Sequence, residues 1–467
     1  MKSSENRKFL LVFLTITLIS TVYLGGFNVG GFNFYVNNEF LYNINNTYKK
    51  SNQFYETLSI FANKKKWSFQ LTLRVNNFFK RNPNLTLENA NFDIFRNTIR
   101  FNSKKLKLTL GDFYSVLGHG LVLSIQKNDE IFLERTILGA DIKYISKNFN
   151  IRILGGEIYD DYNNQLWDVI GGEADLKLNK NHRLAGRFSY IIDHDTIMQL
   201  GNRLTYSLSL NCDKLFKYFS YYAEYAILNF GENYYDNGEA FYSNVTFNRS
   251  HTTITVEYKN YKNFDNELNN LPVADREDEI SPVGDTEGIR VLFQYTIFDP
   301  EISFYLNLGH YREYDYNGSH IYAGISALDI GEKVSFNLSY GVRNIIYPIK
   351  KSYIDLTWQL SDYVSFTVSS KDKRYRDNYF KFNEQDHSIQ FSHSKGVSVF
   401  FSYQYSYSKV IGLNHFFNGG LVLDFHNDMK IRITGGTIRG GQVCSGGQCY
   451  ILPPFKGIKL SILKTFK

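Results

Sequence analysis

Along most of the chain, hydrophobic and polar residues alternate one for one. In KVSFNLSYGVR, Val334, Phe336, Leu338, Tyr340 and Val342 share one face, while Lys333, Ser335, Asn337, Ser339 and Arg343 share the other. The same period recurs at Leu204, Tyr206, Leu208 and Leu210 against Thr205, Ser207 and Ser209, at Val364, Phe366 and Val368, and at Val399, Phe401, Tyr403 and Tyr405. A period of two is the signature of a β-strand with one greasy and one wet face. A soluble sandwich and a membrane barrel both alternate in this way, so the pattern fixes strands but not their surroundings.

The connections separate the two. Short turns (FHND, SKGV, LSDY, DIGEK, FDPE, NRSH, NKNH, SKNF) alternate with longer ones such as RYRDNYFKFNEQ, NFGENYYDNGE and DHDTIMQLGN. A sandwich has no reason to gather every tight turn at one end, whereas an outer-membrane barrel does. The expected fold is therefore all-β, a transmembrane antiparallel β-barrel of about 24 strands with both ends in the periplasm. One stretch breaks the rhythm. LTLGDFYSVLGHGLVLS puts three glycines, an aspartate and a histidine into what should be one upward crossing between Lys105 and Gln126, which is longer than the roughly ten residues a crossing needs. The segment Gly111–Gly120 is expected to leave the wall and fold inward, with Gly111, Gly118 and Gly120 supplying the backbone angles of a hinge.

Composition sharpens the setting. The 467 residues are 17% aromatic, with 36 Tyr and 39 Phe, more than a soluble core uses. A formal charge of +6, scattered along the chain, gives no basic patch for nucleic acid. Lys2, Arg7 and Lys8 precede the apolar run FLLVFLTITLISTVYLGG, the pattern of an export signal over residues 1–25, with the barrel occupying 26–467. No later apolar run is long enough for a spanning helix, so an exported chain that enters a membrane must do so as a barrel, placing it in the bacterial outer membrane.

The glycine-rich stretch with Gly111, Asp112, Phe113, Tyr114, Gly118, Gly120 and Leu121, together with the terminal run holding Arg439, Gly440, Gly441, Cys444, Ser445, Gly446, Gly447, Cys449, Phe455 and Gly457, resembles an uncharacterised family of Gram-negative porin-like outer-membrane β-barrel proteins. The resemblance runs from about Gly30 to Phe466 and implies place and fold, with no substrate attached. One departure is Lys467, which follows the Phe466 on which such a chain should end.

Candidate chemistry is sparse. Asp112, Tyr114 and His119 form an acid/base or ligand cluster on the inward fold, or only satisfy one another where backbone groups have left the ladder; either way they are expected at the lumen constriction. Ser115 beside His119 lacks the elbow and ordered carboxylate of a hydrolase, so no catalytic residue is assigned and no enzyme is expected. On the wet phase lie the lumen charges Asp141, Lys143, Arg152, Glu173, Asp175, Lys177, Arg183, Arg187, Glu257, Arg290, Arg343, Asp355 and Arg432. Cys444 and Cys449 read as an external short-loop disulfide, ahead of a zinc half-site. Cys212 is left over at a periplasmic turn. The acidic loop ADREDEISPVGDTE lacks calcium-loop spacing and reads as solvated.

The expected function is an outer-membrane channel for passive or weakly specific passage of small solutes, narrowed by Gly111–Gly120, without cofactor or metal. Its expected partners are outer-membrane lipid, the barrel-assembly machinery through the strand ending at Phe466, and small solutes. A surface or assembly component of a secretion or motility machine is the alternative. An energy-coupled receptor needs an N-terminal plug, and strands are expected from about Val29.

Overall fold

A computed structural model describes residues 27–45, 51–76, 91–128, 133–159, 165–194, 201–230, 237–264, 268–269, 272, 285–298, 301–313, 316–344, 348–376, 381–408, 412–425, 428–445, 448–452 and 454–466. The proposed export signal, and the acidic loop apart from its last residues, lie outside them. Among the described residues, 24 antiparallel strands form one closed barrel in chain order. The first wall strand, Phe32–Asn45, pairs with the last, Phe455–Phe466, with Val36 opposite Phe466 and Asn45 opposite Gly457. Closure leaves no unpaired sheet edge, which is the condition for strands to cross lipid.

The alternation read from sequence is the alternation of exposure, turned inside out. Along Arg203–Leu215 the polar residues Arg203, Thr205, Ser207 and Ser209 are buried, while Leu204, Tyr206, Leu208 and Leu210 are exposed. Ile153, Ile170, Leu338, Ile354, Phe401 and Ile458 continue this apolar outer surface around the wall. Such an area of exposed apolar side chains is unsustainable in water and is what a hydrocarbon layer requires. The protein is thus an outer-membrane barrel. Tight turns at residues 103–105, 146–148 and 178–181 mark one rim, and the longer connections mark the other.

Two expectations are corrected. The crossing that starts near Lys105 ends at Phe113 and does not continue to Gln126: Leu106–Phe113 pairs with Asn91–Asn102 and Thr136–Ile145, and the next wall strand begins only at Thr136. The inward excursion therefore starts after Phe113 and holds Ser115–Ile125, not the middle of a wall strand. Gly111 stays on the ladder, opposite Gly139 and Thr98, at φ +94°. Cys212, a buried free thiol, lies within the strand Arg203–Leu215, opposite His182 and Tyr221, because the turn comes later, at 216–218.

Candidate lumen constriction

After Phe113 the chain turns into the barrel and forms a small hairpin. Ser115–Leu117 pairs with Leu123–Ile125, Ser115 opposite Ile125 and Leu117 opposite Leu123. The sequence explains why it does not stay in solvent. Leu117, Leu121, Val122, Leu123 and Ile125 form an apolar set too dense for a water-filled lumen, and all are fully buried. They find their partners on the inner wall. Leu117, Val122, Leu123 and Ile125 pack with Phe113, Ile137, Leu154, Ile158, Trp167, Val169 and Ile191, and Leu121 packs with Ala226, Leu228, Ala240, Tyr242 and Tyr261. These wall residues sit on the phase that elsewhere carries polar groups. The inward-facing positions of this sector became apolar because chain, not water, covers them.

A second segment closes over the first. Phe264 and Leu268 join the two clusters. The Ser124 N–H donates to Leu268 O at 2.6 Å, Asn269 Nδ2 donates to Leu121 O at 3.3 Å, and Lys259 Nζ and Tyr261 OH both donate to Pro272 O at 3.1 Å. The connection that follows the strand Thr252–Lys262 thus starts by folding inward, ahead of the acidic stretch, most of which lies outside the described residues.

The tip of the hairpin rests on a buried carboxylate. Glu224, in the strand Phe219–Phe230, is fully buried and accepts hydrogen bonds from Ser207 Oγ at 2.6 Å and from Tyr222 OH, and its other charged neighbour is Arg187 at 3.5 Å. Arg187 is held in turn by Glu173 at 2.7 Å and Ser209 at 2.7 Å. The His119 N–H donates to Glu224 Oε2 at 3.2 Å, and its ring lies 4.0 Å from that of Tyr222 and 5.6 Å from that of Tyr242. Gly118 has φ +68°, and a Cβ there would lie 2.4 Å from Glu224 Oε1. A glycine is required both by the backbone angle and by the approach to the carboxylate. Burial lowers the pKa of His119, with Glu224 opposing and Arg187 adding to the effect.

The three residues expected at the constriction do not form a cluster. Only His119 reaches the lumen dock. Asp112 is on the wall, on the phase opposite to the inward Phe113, and its carboxylate accepts the Asn97 N–H at 2.8 Å. Tyr114 is half-exposed with Arg96 5.0 Å over its ring. Of the expected hinge glycines, Gly118 and Gly120 flank the tip and have positive φ. The lumen charges fall on the inner phase, where cross-strand register lines up Lys107, Lys143, Arg152, Glu173 and Arg187. Several are paired: Arg152 with Asp141 at 2.9 Å, Arg183 with Asp213 at 2.6 Å, and Arg290 with Glu257. Arg343 is buried and donates to Tyr311 OH at 3.0 Å, and Arg432 lies 4.8 Å from the Phe400 ring. Asp175 and Lys177 sit near the tight-turn rim, and Asp355 accepts from Ser369 Oγ at 2.7 Å. Glu224 itself escaped the sequence reading, although a lone acid between Tyr222 and Ala226 on an inward phase is a legible signal. Cys444 and Cys449 are opposite each other across the hairpin Gly441–Ser445 and Gln448–Leu452, and their side chains lie outside the described residues.

Residues 10–281 and 343–466 match DUF6029, a family of unknown function. The chain belongs to this family. No curated protein matches it. Among solved structures, this DUF6029 chain is similar to the siderophore receptor PirA from Pseudomonas aeruginosa, at 10% identity and TM-score 0.50 over 93% of this chain and 80% of that one. It is similar also to the P pilus usher (PapC) translocation pore, at 11% identity and TM-score 0.46 over 93% and 99%, and to Acinetobacter baumannii OccAB1, at 10% identity and TM-score 0.44 over 68% and 92%. At 10% identity the likeness to PirA is one of fold alone.

Proposed function

We propose that this protein is an outer-membrane channel for passive or weakly specific passage of small solutes, with its lumen narrowed from one side. The observation that carries this reading is an asymmetry of the inner wall. Both buried apolar clusters of the inward segments lie against the strands between Leu106 and Lys262. On the far side, Asn337, Asp355, Ser369, Ser388, Ser402 and Asn418 form a polar row across six neighbouring strands. A polar inner face is the property of a water-filled barrel. A hairpin docked on the other side then sets the width of the path without closing the wall.

Planar-bilayer recording tests this directly. The purified barrel should conduct, and replacing Ser115–Ile125 by a short Gly-Ser linker should raise single-channel conductance while the protein stays heat-modifiable. A barrel with no current in either form would be a scaffold, as a component of an envelope machine would be. Two finer readings accompany the channel. Cys444 and Cys449, directly opposite on paired strands, form a disulfide in the oxidising envelope, so maleimide should label them only after reduction. Phe466, at the end of the closing strand, is the handle for the barrel-assembly machinery.

A further inference from the structure

On the membrane-facing side of the wall, far from the lumen hairpin, the apolar belt has a gap. Gly419 and Gly435 are cross-strand partners on the outward phase, so two neighbouring positions lack any side chain. Phe401, Phe417, Ile389 and Tyr403 rise around them, and the depression also reaches His387, enclosing about 630 Å³. Phe401 and Phe417 are 55% and 62% exposed, so none of the described residues covers this groove. A Cβ on Gly435 would meet no atom within 4 Å, and Gly435 does not have a positive φ. Neither packing nor backbone angle therefore demands glycine there, although glycine weakens a strand.

The groove has a polar border. Ser370 Oγ lies 3.0 Å from His387 Nδ1, His387 stacks on Tyr403 with ring centroids 6.2 Å apart, and Tyr403 OH lies 2.8 Å from His415 Nδ1. All four side chains are on the outward phase, which is apolar around the middle of the wall. They sit in the central and outer part of their strands, between the groove and the long-connection rim. Four residues above Ser370, about 13 Å at roughly 3.3 Å per residue, Arg374 faces outward beside its cross-strand partner Lys350. Asp372 takes one side of the Arg374 guanidinium at 2.6 Å and leaves the pair with a net positive charge. In ascending order the surface presents an apolar slot, a belt of hydroxyl and imidazole groups, and cations.

We infer that this face is a binding site for one outer-leaflet lipid with a net negative, phosphate-bearing headgroup. An acyl chain fills the slot over Gly419 and Gly435, the polar linkage of the lipid meets Tyr403 and the two imidazoles, and the phosphate meets Arg374 and Lys350. The occupant follows from the location, since a surface facing hydrocarbon meets lipid first, and from the order of apolar, polar and cationic groups, which matches the order of groups in such a lipid.

The test is native mass spectrometry of the intact barrel in mild detergent, with bis-phosphorylated lipid A and a zwitterionic phosphatidylcholine as the probes. One lipid A should stay bound at collision energies that strip phosphatidylcholine. Gly435→Leu, which fills open space, should reduce retention at least about tenfold (about 1.4 kcal/mol), and Arg374→Ala with Lys350→Ala should abolish the preference for lipid A while weak acyl binding remains. Heat-modifiability of each variant verifies folding. Equal retention of the two lipids by the unaltered barrel, undiminished lipid A on Gly435→Leu, or a copurifying protein that this substitution removes would each overturn the assignment.

Discussion

The two halves of the inner wall obey different rules under the same outer belt. Between Ser335 and Asn418 the inner phase is mostly Ser, Thr, Asn, Gln and scattered charge, with single aromatics such as Tyr353, Phe400 and Phe416 among them, and the sequence alternates as a barrel strand should. Between Thr136 and Tyr261 the inner phase turns apolar toward the long-connection rim, with Ile137, Ile158, Val169, Ile191, Leu228 and Ala240, and polar again toward the tight turns. In this second half each strand carries two environments along its length. What an inward position needs is set by what touches it, water in one half and the hairpin in the other. The comparison also locates the least replaceable contact, because the apolar cover gives way at Gly118 and His119 to a buried charge network around Glu224.

The largest way to break the contrast is to remove that anchor. Glu224→Ala takes away the acceptor shared by Ser207, Tyr222 and the His119 N–H and leaves Arg187 to Glu173, and breaking a buried charge network from one side costs about 3 to 5 kcal/mol. Of this, hairpin docking loses the charged hydrogen bond of His119, about 1.5 to 3 kcal/mol, and the rest falls on wall side chains whose main-chain ladders stay. With Cys212→Ser as background, the maleimide labelling rate of Val122→Cys should rise by about one to two orders of magnitude on adding Glu224→Ala. An unchanged rate would mean that the apolar clusters hold the hairpin without the carboxylate.

Next in size is the outer belt, which both halves share. Leu338→Arg places a charge in hydrocarbon and should cost about 2 to 4 kcal/mol in a folding titration, while Ser339→Arg on the wet inner phase should be close to neutral. The difference should vanish if the far half were not lipid-facing outside and wet inside.

The fold was legible because a period of two and alternating loop lengths are local signals repeated along the whole chain. Leu208 and Ser209 could be assigned to opposite faces from their neighbours alone, and register then follows from keeping each phase on one side. The hairpin was half legible. Three glycines announced a departure from the wall, but Asp112 was read into the excursion because nothing local marks where the ladder ends; its end is decided by pairing with Thr136–Ile145 across the intervening connection. The dock was illegible for the same reason, since Gly118 and Glu224 meet across 106 residues of sequence. The run Leu121–Ile125, apolar on both phases apart from Ser124, was the sign that this strand is covered on both sides.

A smaller effect sharpens the anchor itself. Gly118→Ala adds a Cβ against Glu224 Oε1 at a φ of +68°, which costs about 1 to 3 kcal/mol through backbone strain, with the clash in addition. Gly120→Ala, also at positive φ but without the contact to Glu224 that Gly118 makes, is the comparison on the other side of the tip. In the same labelling experiment Gly118→Ala should open the hairpin more than Gly120→Ala. Equal effects would assign the tip to backbone strain and not to approach to the carboxylate.

The smallest expected effect is a pH dependence of docking. Burial lowers the pKa of His119 in the docked hairpin relative to its value of about 6.5 in water. A released hairpin therefore binds the proton more readily than a docked one, so docking is fully stable above about pH 6.5 and weakens as the pH falls from there to the lowered value. Below that value both forms are protonated and the loss levels off. Labelling of Val122→Cys, corrected for the thiolate fraction of the reagent's target with a free exposed cysteine control, should increase as the pH is lowered from 7.5 to 5.5. The increase should disappear in His119→Phe, which keeps the ring packing on Tyr222 and Tyr242 and removes the titrating group. A slope that persists in His119→Phe would shift the dependence onto the Glu224 and Arg187 network beneath it.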